Sequence, residues 1–125
     1  MELLTARNPQ AVPSSLSPGT SLCAQAVVDS AGEVLGSIVD LLLDLERGRI
    51  AYAVVASGGF LGVGERMVAV PWNALRPNAR HFVLQGSRSV LESGPVFEHE
   101  QWHRTPAQWW HERVHAHFRS RPYWE

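Results

Sequence analysis

Three apolar runs in close succession, Ile38–Leu45, Ile50–Ala56 and Met67–Trp72, most constrain what this chain can fold into. They are separated by Glu46-Arg47-Gly48 and by the glycine-rich stretch Gly58–Gly64, the punctuation of consecutive antiparallel strands. A β-meander is predicted. Successive side chains of a strand point to opposite faces, so Ile38, Asp40, Leu42 and Asp44 share one side while Val39, Leu41, Leu43 and Leu45 share the other. The second set is wholly apolar and the first is mixed. In the next run Ile50, Tyr52 and Val54 alternate with Ala51, Ala53 and Val55. The small residues let something pack closely on one side, while the large ones fill a core on the other. The prediction is a mostly β fold, a small, curled antiparallel β-barrel of five or six strands.

The flanking segments extend this pattern. A first strand is expected over Leu22–Val28, turning through Asp29–Gly32 and returning from Val34. Gly36 lies inside the second strand, where a missing side chain marks a bulge or a sharp bend. Gly58–Gly64 has the look of a phosphate cradle, but a strand follows it rather than a helix N-terminus. It reads instead as a hairpin loop whose tip, Phe60-Leu61, is placed to touch a partner. Pro71 ends the fourth strand, Trp72–Leu75 can close as a short helical turn with Trp72 capping the barrel, and a fifth strand spans His81–Gln85. Ser87 or Ser89 can then cap a short helix through Leu91 that stops near Gly94-Pro95.

A length of 125 residues fits one domain with tails. Residues 1–20, with Pro9, Pro13 and Pro18 among serines and glycine, read as a flexible lead-in; 21–102 as the barrel; and 103–125 as a C-terminal helix and aromatic tail. A net charge of −1 argues against general nucleic-acid binding, which calls for a basic surface. No apolar stretch reaches the roughly 18 to 20 residues of a membrane span, and no signal core follows the N-terminus; a cytoplasmic location is expected. Cys23, the single cysteine, sits between Leu22 and Ala24 and is expected to be buried or half-buried in the first strand.

From His99 onward the chain holds five of its 6 histidines and four of its 5 tryptophans. His99 and His103 are spaced i and i+4, as are His111 and His115, which can bring two imidazoles to one helical face for Zn²⁺, Ni²⁺ or Cu²⁺. Glu112 projects about 100° from His111 on a helix, and Thr105-Pro106 parts the two pairs. Metal binding at His111 and His115 is therefore the minor alternative, and no cofactor is implied. The main reading is an amphipathic helix capped by Thr105, starting at Pro106, with Trp110, Val114 and His117/Phe118 as its apolar stripe. This leaves open whether the stripe packs on its own barrel or on a neighbour. Trp109 cannot share the buried face with Trp110 and belongs at a rim. Catalysis finds no footing: Asp40 and Asp44 stand roughly 13 Å apart along a strand, and no nucleophile elbow is present.

The turn Asp29-Ser30-Ala31-Gly32, the run Gly36-Ser37-Ile38-Val39-Asp40, Asp44 before Gly48, the strand Ile50–Val55, the Gly58–Gly64 loop and Val70-Pro71-Trp72 together resemble the PRC-barrel domain family. The resemblance covers roughly Ser21 to Trp102. It implies a PRC-type barrel and a binding or assembly module, and it brings no catalytic residues. Members include the cytoplasmic part of a photosynthetic reaction-centre subunit, half of a ribosome maturation factor, and many free-standing small proteins. For this chain the expectation is a non-catalytic module that binds a protein partner or itself, as a homodimer. Its contact residues are expected to be Phe60 and Leu61 in the loop and Trp109, Trp110, Phe118, Tyr123 and Trp124 in the C-terminal segment. A ligand- or metal-responsive sensor is the alternative.

Overall fold

The computed structural model describes residues 16–58, 66–78, 80–96 and 107–125. Within them six strands form one sheet: β1 (Ala26–Val28), β2 (Val34–Asp44), β3 (Arg49–Ser57), β4 (Arg66–Pro71), β5 (Leu75–Asn78) and β6 (His81–Leu84). Two helices follow, α1 (Arg88–Glu92) and α2 (Gln108–His117). The strand order is β4-β3-β2-β1-β6-β5, so the predicted meander, β2 to β4, forms one end of the sheet. Every neighbouring pair is antiparallel except β1 and β6, which run parallel with Val27 opposite Phe82. A flat sheet would hold its edge strands roughly 24 Å apart, at about 4.8 Å per strand. Yet β4 and β5, the two edges, are joined by only the three-residue 3-10 turn Trp72–Ala74. The sheet must therefore curl back on itself into a half-barrel, the mostly β, six-stranded form of the small curled barrel expected, with the β1–β6 pair parallel rather than antiparallel.

The turns are built by the residues that signalled them. Asp29 accepts the amides of Ala31 and Glu33 through Oδ1, both at 2.9 Å, around Gly32 at φ +87°. Asp44 accepts the Arg47 amide at 2.9 Å, and Gly48, at φ +64°, bonds back to the Asp44 carbonyl. Gly36 lies beside a bulge in the β1–β2 register, and a Cβ there would collide with the Ala56 carbonyl of β3. Ser87 takes the N-cap position of α1, which ends at Ser93 before Gly94-Pro95.

Three expectations are corrected. Cys23 is exposed in a turn, because Ala24 adopts φ +76° and breaks the strand that was expected to start at Leu22. Leu75, expected to close the turn after Trp72, instead opens a further, unanticipated strand, Leu75–Asn78; Pro77 is tolerated there because β5 is an edge. On β2 the wholly apolar set is not the buried one. The mixed set is the one turned inward, with Ile38 fully buried and Asp40, Leu42 and Asp44 half-buried, while Val39, Leu43 and Leu45 of the apolar set are exposed; bulges interrupt the register with β3 between Ile38 and Asp40 and between Leu42 and Leu43.

β3 is covered on both faces, from Ala51 to Ser57. One contiguous core joins Val27, Ile38, Val55 and Val68 of the sheet with Leu91 of α1 and with Trp110, Val114 and Phe118 of α2. The helical stripe thus packs on the chain's own barrel. Gly36→Ala is expected to lower unfolding stability by about 1–3 kcal/mol, since neither backbone can withdraw. Val39→Thr, on the exposed bulge, should stay within about 0.5 kcal/mol, and urea denaturation distinguishes the two.

Candidate functional site

Tyr52 is the centre of the cluster that the C-terminal segment builds on the sheet. It reaches from β3 into the underside of α2, where its ring meets Trp110 edge-on at 5.6 Å, His111 in a stack at 5.7 Å and His115 edge-on at 5.4 Å. The tail then folds back, bringing Tyr123 to 5.7 Å from Tyr52 and Trp124 to 5.0 Å from His115. Offset and edge-to-face contacts of this kind each add about 0.5–1.5 kcal/mol beyond the apolar area they bury.

Tyr52, His115 and Tyr123 each find polar partners within this apolar setting. Tyr52 Oη lies 2.6 Å from His111 Nδ1. Burial, reinforced by Tyr123, holds the Tyr52 phenol far above its usual pKa, so its O–H stays protonated and donates to Nδ1 in the tautomer that carries the His111 proton on Nε2. His115, only 2% exposed, donates Nδ1–H to the His111 carbonyl at 2.7 Å. Its Nε2 accepts the Tyr123 amide at 3.3 Å. Burial lowers the His115 pKa, against the raising effect of that carbonyl. The tail is further fixed by Tyr123 O–H donating to Asp44 Oδ2 at 2.9 Å and by Arg49 donating to the Tyr123 carbonyl at 2.6 Å. Asp44 is held below the ordinary aspartate pKa, first by the Arg47 amide and then by the Tyr123 hydroxyl. That carboxylate is thus in place above about pH 3.9, and its contacts are lost as pH falls through the lower folded value.

Two grooves flank α2. One, of about 490 Å³, is lined by Leu43, Leu45, Glu46, Gln108, Tyr123 and Trp124, among others. The other, of about 370 Å³, is lined by Pro95, Val96, Trp109, Arg113 and His117 among others. With 100° between helical residues, Gln108 and Trp109/Arg113 face different sides, which is why the grooves are separate. Apolar side chains stand open at both: Leu43 at 57% and Leu45 at 85% exposure on the first, Val96 at 43% and Trp109 at 61% on the second.

The predicted residues therefore divide. Trp110 and Phe118 are buried in the chain's own core, Trp110 also contributing to the lining of the second groove. Tyr123 and Trp124 are half-buried at the rim of the first groove, and Trp109 lies on the second. Phe60, Leu61, His99, His103, Thr105 and Pro106 lie outside the described residues. His111 and His115 are brought together, but His115 has both ring nitrogens in internal bonds and His111 turns Nδ1 to Tyr52. Among the described residues no group of three metal-ligating side chains is assembled. Sequence reasoning missed Leu43, Leu45 and Val96. An apolar residue directly before the polar turn Glu46-Arg47-Gly48 was the available signal for Leu45.

Residues 17–91, more than half of the chain, match the family described as PRC-barrel domain. Among solved structures, the chain is similar to a 16S ribosomal RNA processing protein, RimM, from Pseudomonas aeruginosa, with 18% identity and a TM-score of 0.40. That likeness covers 62% of this chain and 50% of the other, so this chain spans about half of that protein's length. No curated protein matches. Among the described residues no helix is long and apolar enough to cross a membrane.

The two adjacent tryptophans should respond oppositely to truncation. Trp110→Ala is expected to lower unfolding stability by about 3–5 kcal/mol, as for a buried aromatic. Trp109→Ala should change it by no more than about 0.5 kcal/mol, and thermal denaturation followed by circular dichroism reads both.

Proposed function

Since the chain belongs to the PRC-barrel domain family, we propose that it is a non-catalytic assembly module that binds a protein partner or a second copy of itself. The observation that carries this reading is the open apolar lining of the two grooves beside α2: Leu43 and Leu45 on one flank, Val96 and Trp109 on the other. Taking a Leu or Val side chain fully out of water stabilises a complex by about 1.5–3 kcal/mol. A few such anchors ringed by polar groups are how interfaces concentrate their affinity. Glu46, Arg47 and Arg113 supply that polar rim here. Tyr123 and Trp124 shape the edge of the first groove, and Trp109 is the exposed anchor of the second.

A non-catalytic role agrees with how the titratable groups are used. Asp44 is engaged by the turn and the tail, and His115 by its own helix and the tail. The i, i+4 histidine pair has its ring nitrogens engaged in internal bonds at His115 and at His111 Nδ1, so among the described residues the geometry favours the assembly reading over the metal-sensor one.

Light scattering behind size-exclusion chromatography tests the proposal with the full chain at micromolar to submillimolar concentration. The wild type is expected to form a concentration-dependent dimer, or to retain a protein partner. Leu43→Ser/Leu45→Ser or Trp109→Ser should weaken that association at least about tenfold, equivalent to losing about 1.4 kcal/mol. If the wild type is monomeric throughout and both variants retain a partner as well as it does, the grooves are not the contact surface.

A further inference from the structure

The last residues of the chain, 120–125, are held to the barrel through Tyr123. Its amide donates to His115 Nε2 at 3.3 Å, its carbonyl accepts from Arg49 at 2.6 Å, and its hydroxyl donates to Asp44 at 2.9 Å. The first bond requires an unprotonated Nε2. His115 also donates Nδ1–H to the His111 carbonyl, so the closed tail selects the one neutral tautomer with its proton on Nδ1.

A second proton on His115 would sit on Nε2 and point at an amide N–H. Among the described residues no acceptor is placed there. The groups that face the ring are Tyr52 from β3, His111 from its own helix, and Tyr123 and Trp124 from the tail. Tyr52 turns its hydroxyl to His111, and Asp44, the carboxylate at the base of the tail, is taken by Tyr123 Oη and Arg47. Arg49, on the tail carbonyl, adds a further positive charge to this end of the barrel. The aromatic faces can attract an imidazolium, but they cannot accept its Nε2–H in the plane of the ring where the Tyr123 amide lies. We propose that residues 120–125 form a proton-operated latch, closed over the Tyr52 cluster while His115 is neutral and released when His115 is protonated.

Release uncovers the tail side of Tyr52 and takes Tyr123 and Trp124 away from the first groove. The folded pKa of His115 is lowered by burial. The latch is therefore fully closed above the unfolded histidine value of about 6.5 and opens as pH falls from there through the lower folded value. Asp44, held below the ordinary aspartate pKa, keeps its charge across that window.

Amide hydrogen exchange on the full chain, corrected for the intrinsic pH dependence of exchange, reads the latch. Between about pH 7.5 and about pH 5 the tail amides should lose at least tenfold in protection, while Val114 in α2 keeps its own. His115→Gln, which keeps an acceptor near the Nε2 position and does not titrate, should remain closed at both pH values. His111→Gln should still open. Loss of the response in His111→Gln with its retention in His115→Gln would overturn the proposal, as would a wild-type tail whose protection does not change. If His115→Gln fails to fold, proton NMR of the wild type decides: the Tyr123 amide shift must titrate with the same midpoint as the His115 ring, and a separate midpoint rejects the latch.

Discussion

The structure depends on the burial of β3 from both sides. A strand that carries Ala51, Tyr52, Ala53, Val54 and Val55 without exposed positions needs a cover on each face. Curling of the six-stranded sheet brings part of that cover, and α2 brings the rest through Trp110, Val114 and Phe118. Placing Tyr52 under the helix sets a further condition. A buried phenol must have a hydrogen-bond partner or lose about 1–3 kcal/mol, and His111 is the partner that α2 provides. Helix position, histidine orientation and tail path follow from that condition together.

The sequence showed most clearly those features whose cause is local. Asp29, Asp44, Gly32 and Gly48 form turns by bonding their own neighbours, so their meaning does not depend on the rest of the chain. The helical stripe at Trp110, Val114 and Phe118 was visible for the same reason, because a helix has a fixed period. What escaped was set by tertiary pairing. Which face of β2 is covered is set by the curl of the sheet and not by the strand's own pattern: Val39 and Leu43 of the wholly apolar set are left exposed, while Ile38 of the mixed set is buried. β5 is a strand because β6 pairs with it, although Arg76-Pro77-Asn78 has little strand character of its own.

The histidine-rich segment shows how spacing can point to one chemistry while tertiary partners produce another. His111 and His115 at i and i+4 fit a metal pair as well as they fit a packed helix face. The difference is made by residues distant in sequence: Tyr52, fifty-nine positions before His111, and Tyr123, which returns eight positions after His115. No inspection of the helix alone reveals that His115 Nε2 is already accepting a backbone amide. Composition correctly marked the segment as unusual, and only the packing assigns the function of each ring.

The family match ends at residue 91, whereas Trp110, Val114, Phe118 and Tyr123 lie beyond it and still contribute to, or pack on, the same core. In this chain the C-terminal segment is therefore part of the barrel's own packing. It forms one wall of each groove, with Gln108, Tyr123 and Trp124 on one side and Trp109 and Arg113 on the other. The matched region supplies the opposite wall of the first groove through Leu43 and Leu45, while in the second Pro95 and Val96, just past the match, face the helix. A surface shared in this way changes when the extension moves, even if the barrel does not. What such a protein presents to its surroundings is consequently governed by the stability of the Tyr52 cluster more than by the strands that define the family.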